Sequence, residues 1–136
     1  MKKEFINPPN LYDYHKINCS YATKVDNTLY IVGMVAYDKD GNLIGKGDME
    51  TQTKQCFENL KALLEYVGGS LKDVVKINIY ADIKKEGDAL QEEYWKIRKV
   101  RKTYFPEDVP ATGCIVKSLA AKDLLVEIEA IAVLDS

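Results

Sequence analysis

With 136 residues, the chain is sized for a single domain over residues 1–136 built on one hydrophobic core. Hydrophobic residues at 46% and charged residues at 29% suit a globular protein in water. A formal charge of −2, from 19 Lys and Arg against 21 Asp and Glu, leaves no cationic excess for phosphates and argues against a general nucleic-acid binder.

Residues 1–18 are rich in Pro, Asn and Tyr without a sustained period, which predicts an N-terminal arm or loop. Two strands follow, Cys19 to Val25 and Thr28 to Tyr37, joined by a tight turn at Asp26-Asn27, whose side chains tolerate left-handed backbone. Asp38-Lys39-Asp40-Gly41-Asn42 is a second turn, with a short extra strand expected near Leu43. From Asp48 the period changes: Cys56, Leu60, Leu63, Leu64 and Val67 share one helical face, Asp48 caps the start, and Gly68-Gly69 supplies the stop. Leu71 to Asp82 reads as a strand, with Val75, Ile77, Ile79 and Ala81 alternating with Lys76, Asn78 and Tyr80. A second helix is expected from about Asp88 to Tyr104, with Leu90, Tyr94, Ile97 and Tyr104 as its apolar stripe and Pro106 as its end. Ala111 to Ser118 and Leu124 to Leu134 are the closing strands. The order β-β-α-β-α-β-β predicts an α+β fold in which two helices cover one face of a mixed sheet. The bare face then needs a cover, and self-association supplies one.

Cys19, Cys56 and Cys114 have no CxxC spacing, and with His15 as the single histidine they form no zinc motif, so no metal site is expected. The N-terminus holds two lysines but no apolar run of signal-peptide length, and no stretch reaches the roughly 18 apolar residues of a membrane helix. A cytoplasmic protein with reduced thiols and no membrane partner is the expectation.

Several segments, in order, resemble the Rid family (RidA/YjgF). Leu125-Val126-Glu127-Ile128-Glu129-Ala130-Ile131-Ala132-Val133 is similar to its C-terminal signature strand, and Pro110-Ala111-Thr112-Gly113-Cys114 sits where the family has Pro-Ala-Arg-Ser-Cys. Thr51-Gln52-Thr53-Lys54-Gln55 with Asn59 to Leu64 resembles its first helix, Asp73-Val74-Val75-Lys76 the opening of its next strand, and Ala22 to Gly33 its first hairpin. The resemblance implies a chorismate-mutase-like fold, a homotrimeric barrel with clefts between subunits, and hydrolysis of small imines or enamines to carbonyl compounds and ammonia without cofactor. In that chemistry an arginine clamps the substrate carboxylate through a bidentate pair, which a neutral side chain cannot replace.

Matched residue by residue, Thr112 stands in place of that arginine, Gly113 replaces the serine, and Cys114 matches the cysteine. Glu127 matches the glutamate that orients water, Gly33 matches a glycine of the first hairpin, and Cys19 stands where the family has a tyrosine. Arg98 falls where many members carry a cleft asparagine, and its guanidinium is a candidate for an anionic group. The resemblance thus assigns Glu127 to catalysis, and Thr112, Cys114, Arg98, Gly33 and Cys19 to substrate binding.

The residues alone leave blander roles open. Glu127 and Glu129 share a strand face and suit a solvated or ion-paired couple. Cys114 suits a core position, Thr112 a plain strand former, His15 a surface site, and Arg98 a solvated helix face. The Lys96, Arg98, Lys99, Arg101 and Lys102 cluster reads as a helix surface laced by pairs such as Glu92 with Lys96. The expected function is that of a divergent Rid-family protein with an inter-subunit cleft for a small carbonyl or imine metabolite. Thr112 makes it a poor 2-imino-acid deaminase. A non-catalytic metabolite-binding or regulatory protein and an endoribonuclease or translation inhibitor are the other two readings.

Overall fold

The computed structural model describes residues 1–135. Its strands are β1 (Glu4–Ile6), β2 (Ala22–Val25), β3 (Thr28–Met34), β4 (Val74–Asp82), β5 (Ala111–Val116) and β6 (Val126–Val133), and its helices are α1 (Met49–Tyr66) and α2 (Gly87–Tyr104). All six strands lie in one sheet, ordered β1-β2-β3-β6-β4-β5. Only β4 and β5 run parallel; every other neighbouring pair is antiparallel. This is the α+β fold expected from the alternation of periods.

The helices lie on one face because the strands bury alternate residues. Leu29, Ile31, Ile77, Ile79, Ala81, Ile128, Ala130 and Ala132 point into the core. From α1, Cys56, Leu60, Leu63 and Leu64 meet them, as the four-three-one spacing requires. Asp48 starts α1 by accepting from Thr51 N and Thr51 Oγ1 at 3.2 and 2.8 Å. Beside α1, α2 contributes the buried Tyr94 and Ile97.

Four local readings change. The N-terminal segment expected as an arm or loop supplies β1, which pairs with β2, and a 3-10 turn over Tyr14–Ile17. Three residues with one buried side chain carry no period to read. Cys19 to Tyr21 precede β2, and the extra strand near Leu43 is a single bridge to Tyr37. Leu71–Asp73 is a 3-10 turn, because Ser70 accepts from Lys72 N while the Asp73 carboxylate takes Ser70 N.

Candidate functional site

The face of the sheet away from the helices collects most of the residues singled out by sequence. Register fixes the rows: Glu129 lies beside Asn78 and Asn78 beside Thr112, while Glu127 lies beside Tyr80 and Tyr80 beside Cys114. Residues level with one another across a sheet share a face. Thr112, Cys114, Glu127 and Glu129 therefore line one surface, with Asn78 and Tyr80 between them. Thr112 and Cys114 are exposed, so Cys114 is no core residue; the fully buried thiol belongs to Cys56.

Glu129 is tied down on this surface. Its Oε1 accepts from Asn78 Nδ2 at 2.9 Å and from the Tyr80 hydroxyl at 2.8 Å. Glu127 makes no side-chain hydrogen bond or ion pair among the described residues, and its half-burial raises its pKa above the ordinary carboxylate value, with the charge of Glu129 adding to the rise. One carboxylate is held by two donors, and the other is open to a water or a ligand.

Gly33 explains how Glu127 fits. The pairing of β3 with β6 slips between Ile31 and Met34, and Gly33 lies in that irregularity. A Cβ on Gly33 would stand 2.5 Å from the Glu127 Cδ, so the carboxyl group occupies the space a side chain would need. From below, the buried Tyr14 donates its hydroxyl to the Gly33 carbonyl at 3.0 Å and stacks on Tyr21 at 3.8 Å. Burial pushes the phenols of both tyrosines well up, which keeps them neutral.

Arg98 and Cys19 stand apart from that row. Cys19 lies in the loop before β2, where its thiol donates to the Ser20 carbonyl at 3.5 Å. Arg98 is on α2, on the helix side of the sheet, with its guanidinium 4.6 Å from the Tyr94 ring centre and 5.1 Å from that of Trp95. The lysines beside it behave as a helix surface, but Lys96 pairs with Glu93 at 2.9 Å rather than with Glu92. His15 is exposed and pairs with Asp13.

Asn78 and Tyr80 carry no site signal in the sequence beyond their alternation in β4. Only the parallel register of β5 reveals that they bridge Glu127 and Glu129 to Cys114 and Thr112. A shallow depression of about 220 Å³ on this face is lined by Tyr30, Lys76, Asn78, Glu129 and Ile131. A larger hollow of about 640 Å³ lies elsewhere, between the C-terminal ends of the helices, with Lys61, Glu65, Leu71, Phe105 and Val109 among its lining. Its charges are of both signs and it touches none of the residues above. Among the described residues no three His, Cys, Asp or Glu side chains gather into a metal-holding group. Among the described residues no helix is long and apolar enough to cross a membrane.

The profile of the family described as endoribonuclease L-PSP matches residues 15–134, nearly the whole chain. The chain belongs to the Rid family. A RutC family protein of Pyrococcus abyssi is 41% identical over 113 residues, covering 83% of this chain and 84% of its own. The 3-aminoacrylate deaminase RutC of Acinetobacter baylyi is 35% identical over 136 residues, covering 97% and 98%. Among solved structures, RidA from an Antarctic Psychrobacter superposes with a TM-score of 0.82 at 30% identity, over 96% of this chain and 99% of its own. The six-stranded sheet and its two helices are thus the Rid fold.

Proposed function

We propose that this Rid protein hydrolyses a small enamine or imine to a carbonyl compound and ammonia in a cleft between subunits, with Glu127 handling the proton. The observation that carries the reading is the pair of carboxylates on the open sheet face: Glu129 held at one oxygen by Asn78 and Tyr80, Glu127 without a side-chain partner among the described residues and raised in pKa. Protonated Glu127 gives its proton to the enamine carbon, which leaves an iminium ion. Water then adds to the iminium carbon and gives one proton to the Glu127 carboxylate, forming a carbinolamine. That proton passes to nitrogen, the C–N bond breaks and ammonia leaves, and the hydroxyl returns its proton to Glu127 as the carbonyl forms. A half-buried carboxylate whose pKa is raised by burial and by Glu129 is suited to both halves of this exchange. Gly33 keeps its position free of a side chain, while Thr112 and Cys114 supply a hydroxyl and a thiol beside the cleft. The relative in Acinetobacter, a 3-aminoacrylate deaminase, favours an enamine over a ribonucleic acid substrate.

Thr112 offers no charge to a carboxylate where the family's arginine would, so 2-imino acids are poorer substrates than for a chain that carries that arginine. The test is ammonia release from freshly generated 3-aminoacrylate, 2-aminoacrylate and 2-iminobutyrate by reduced native protein, Thr112→Arg and Glu127→Gln. Turnover of at least one substrate is expected, with Glu127→Gln slower by about 100-fold or more. Thr112→Arg is expected to gain on the two 2-substituted acids. No ammonia from any substrate with either native protein or Thr112→Arg would overturn the reading and leave a metabolite-binding protein in its place.

A further inference from the structure

We propose that Arg98, Arg101 and Tyr94 form a recognition site for a small carboxylate at the free edge of β5. The inference rests on the enamine reading for the identity of the ligand, but its geometry is independent of it.

Two of the three lysines of α2 find carboxylates; the third, Lys102, is exposed, and among the described residues neither arginine has an acidic partner. Lys96 sits 2.9 Å from Glu93, which also holds Lys85 at 2.9 Å, and Lys99 lies 3.5 Å from Glu50. Among the described residues neither Arg98 nor Arg101 comes within ion-pair distance of an acidic group, although both are half-buried. Two guanidiniums three positions apart on a helix stand over one face and repel each other. Their placement makes sense if an anion from solution completes it. Arg98 is already fixed for that purpose by its stacking on Tyr94 and Trp95, which holds the planar fork with little entropy left to lose.

Tyr94 joins this pair to the strand. It is buried, and its hydroxyl fills the space that a side chain on Gly113 would take. The charges of Arg101 and Arg98 both act on its phenol, pulling its pKa down against the larger upward push of burial. Gly113 is the residue next to Thr112, where the family's arginine is absent. The helix packed against β5 thus carries positive charge on the face opposite Thr112, with the Tyr94 phenol beside it. β5 ends the sheet, so its outer edge is open to a ligand. The exposed indole of Trp95, at 62%, forms an accessible wall. Paired planar forks between aromatic rings match a planar carboxylate better than a tetrahedral phosphate.

Within one chain the arginines and Glu127 lie on opposite faces of the sheet, with β4 and β5 between them. A small ligand that contacts both does so between two copies of the chain.

The experiment titrates native protein with 2-oxobutyrate, with uncharged 2-butanone and with inorganic phosphate, following the Trp95 indole N–H resonance and the heat of binding. Saturable binding of 2-oxobutyrate with a shifted indole resonance is expected, and 2-butanone should do neither. R98Q/R101Q, checked for an unchanged melting temperature, should weaken 2-oxobutyrate about tenfold or more, and Arg98→Lys should fall in between. Native protein that binds no 2-oxobutyrate, or binds it without moving the indole, would overturn the site. So would phosphate binding in its place. The two readings separate cleanly: arginine-dependent binding without ammonia release keeps the site and removes the enzyme. Ammonia release untouched by R98Q/R101Q keeps the enzyme and removes the site.

Discussion

A side chain on Gly33 has nowhere to go, since its Cβ would meet the Glu127 carboxyl carbon at 2.5 Å. Gly33→Ala is therefore expected to destabilise the protein by about 1–3 kcal/mol, as overpacking does, and to push Glu127 off its position. Thermal denaturation reads the first effect and ammonia release the second; a variant unchanged in both would separate Gly33 from Glu127. Glu127 itself has a pH signature. Its folded pKa is raised by burial and by Glu129, so folding favours the protonated form. That contribution is whole below the unfolded carboxylate value of about 4.3 and is lost as pH rises through the higher folded value. Native protein should thus lose stability relative to Glu127→Gln as pH rises from about 4 through the raised folded value. A difference in melting temperature that stays constant over that range would place the carboxyl in open water.

At the scale of elements, what was legible in the sequence was what short-range chemistry decides. The cap at Asp48, the stripe from Cys56 to Leu64 and the alternation in β6 follow from residues within a few positions of each other. The contacts that lock the elements together do not. Gln52, fully buried on α1, donates to the carbonyls of Gly45 and Asp123 at 3.1 and 3.0 Å and accepts from Leu125 N at 2.9 Å. It pins two loops separated by most of the chain, and no local pattern announces it. The same holds for Tyr94 lying under Gly113, and for the parallel register that sets Tyr80 beside Cys114. The carboxylates of the site were legible through the signature strand, whereas the tyrosine and asparagine between them needed the sheet order. The contrast is measurable. Asp48→Ala removes an exposed cap and should cost about 1 kcal/mol. Gln52→Ala removes three part-buried hydrogen bonds to backbone groups and should cost about 3 kcal/mol or more by denaturant unfolding. Equal costs would mean that the two loops hold without Gln52.

The whole molecule is lopsided in what it leaves to solvent. Helices cover one face of the sheet, and the other presents Phe5, Tyr30 and Val133 at 63%, 52% and 44% exposure, with Ile131 beside Tyr30. Phe5, Thr23, Tyr30, Ile131 and Lys76 run level across five strands, so the apolar residues make a band interrupted at Thr23, with Val133 two residues along β6 from Ile131. We expect this band to be an interaction surface. Closed symmetry is the usual way for identical chains to cover it. The expectation for the Rid chain is a homotrimer, three times the 15.4 kDa chain mass by sedimentation. Tyr30→Glu puts a charge in the centre of the band and should shift the mass toward one chain while circular dichroism stays native. If the cleft lies between subunits, ammonia release should fall with dissociation, because Glu127 and the arginines of α2 would then be parted. Carboxylate binding to α2 should survive in the single chain, since Arg98, Arg101 and Tyr94 belong to one helix. A Tyr30→Glu protein that stays trimeric would place the interface elsewhere. One that dissociates yet keeps full turnover would put the whole active site within one copy.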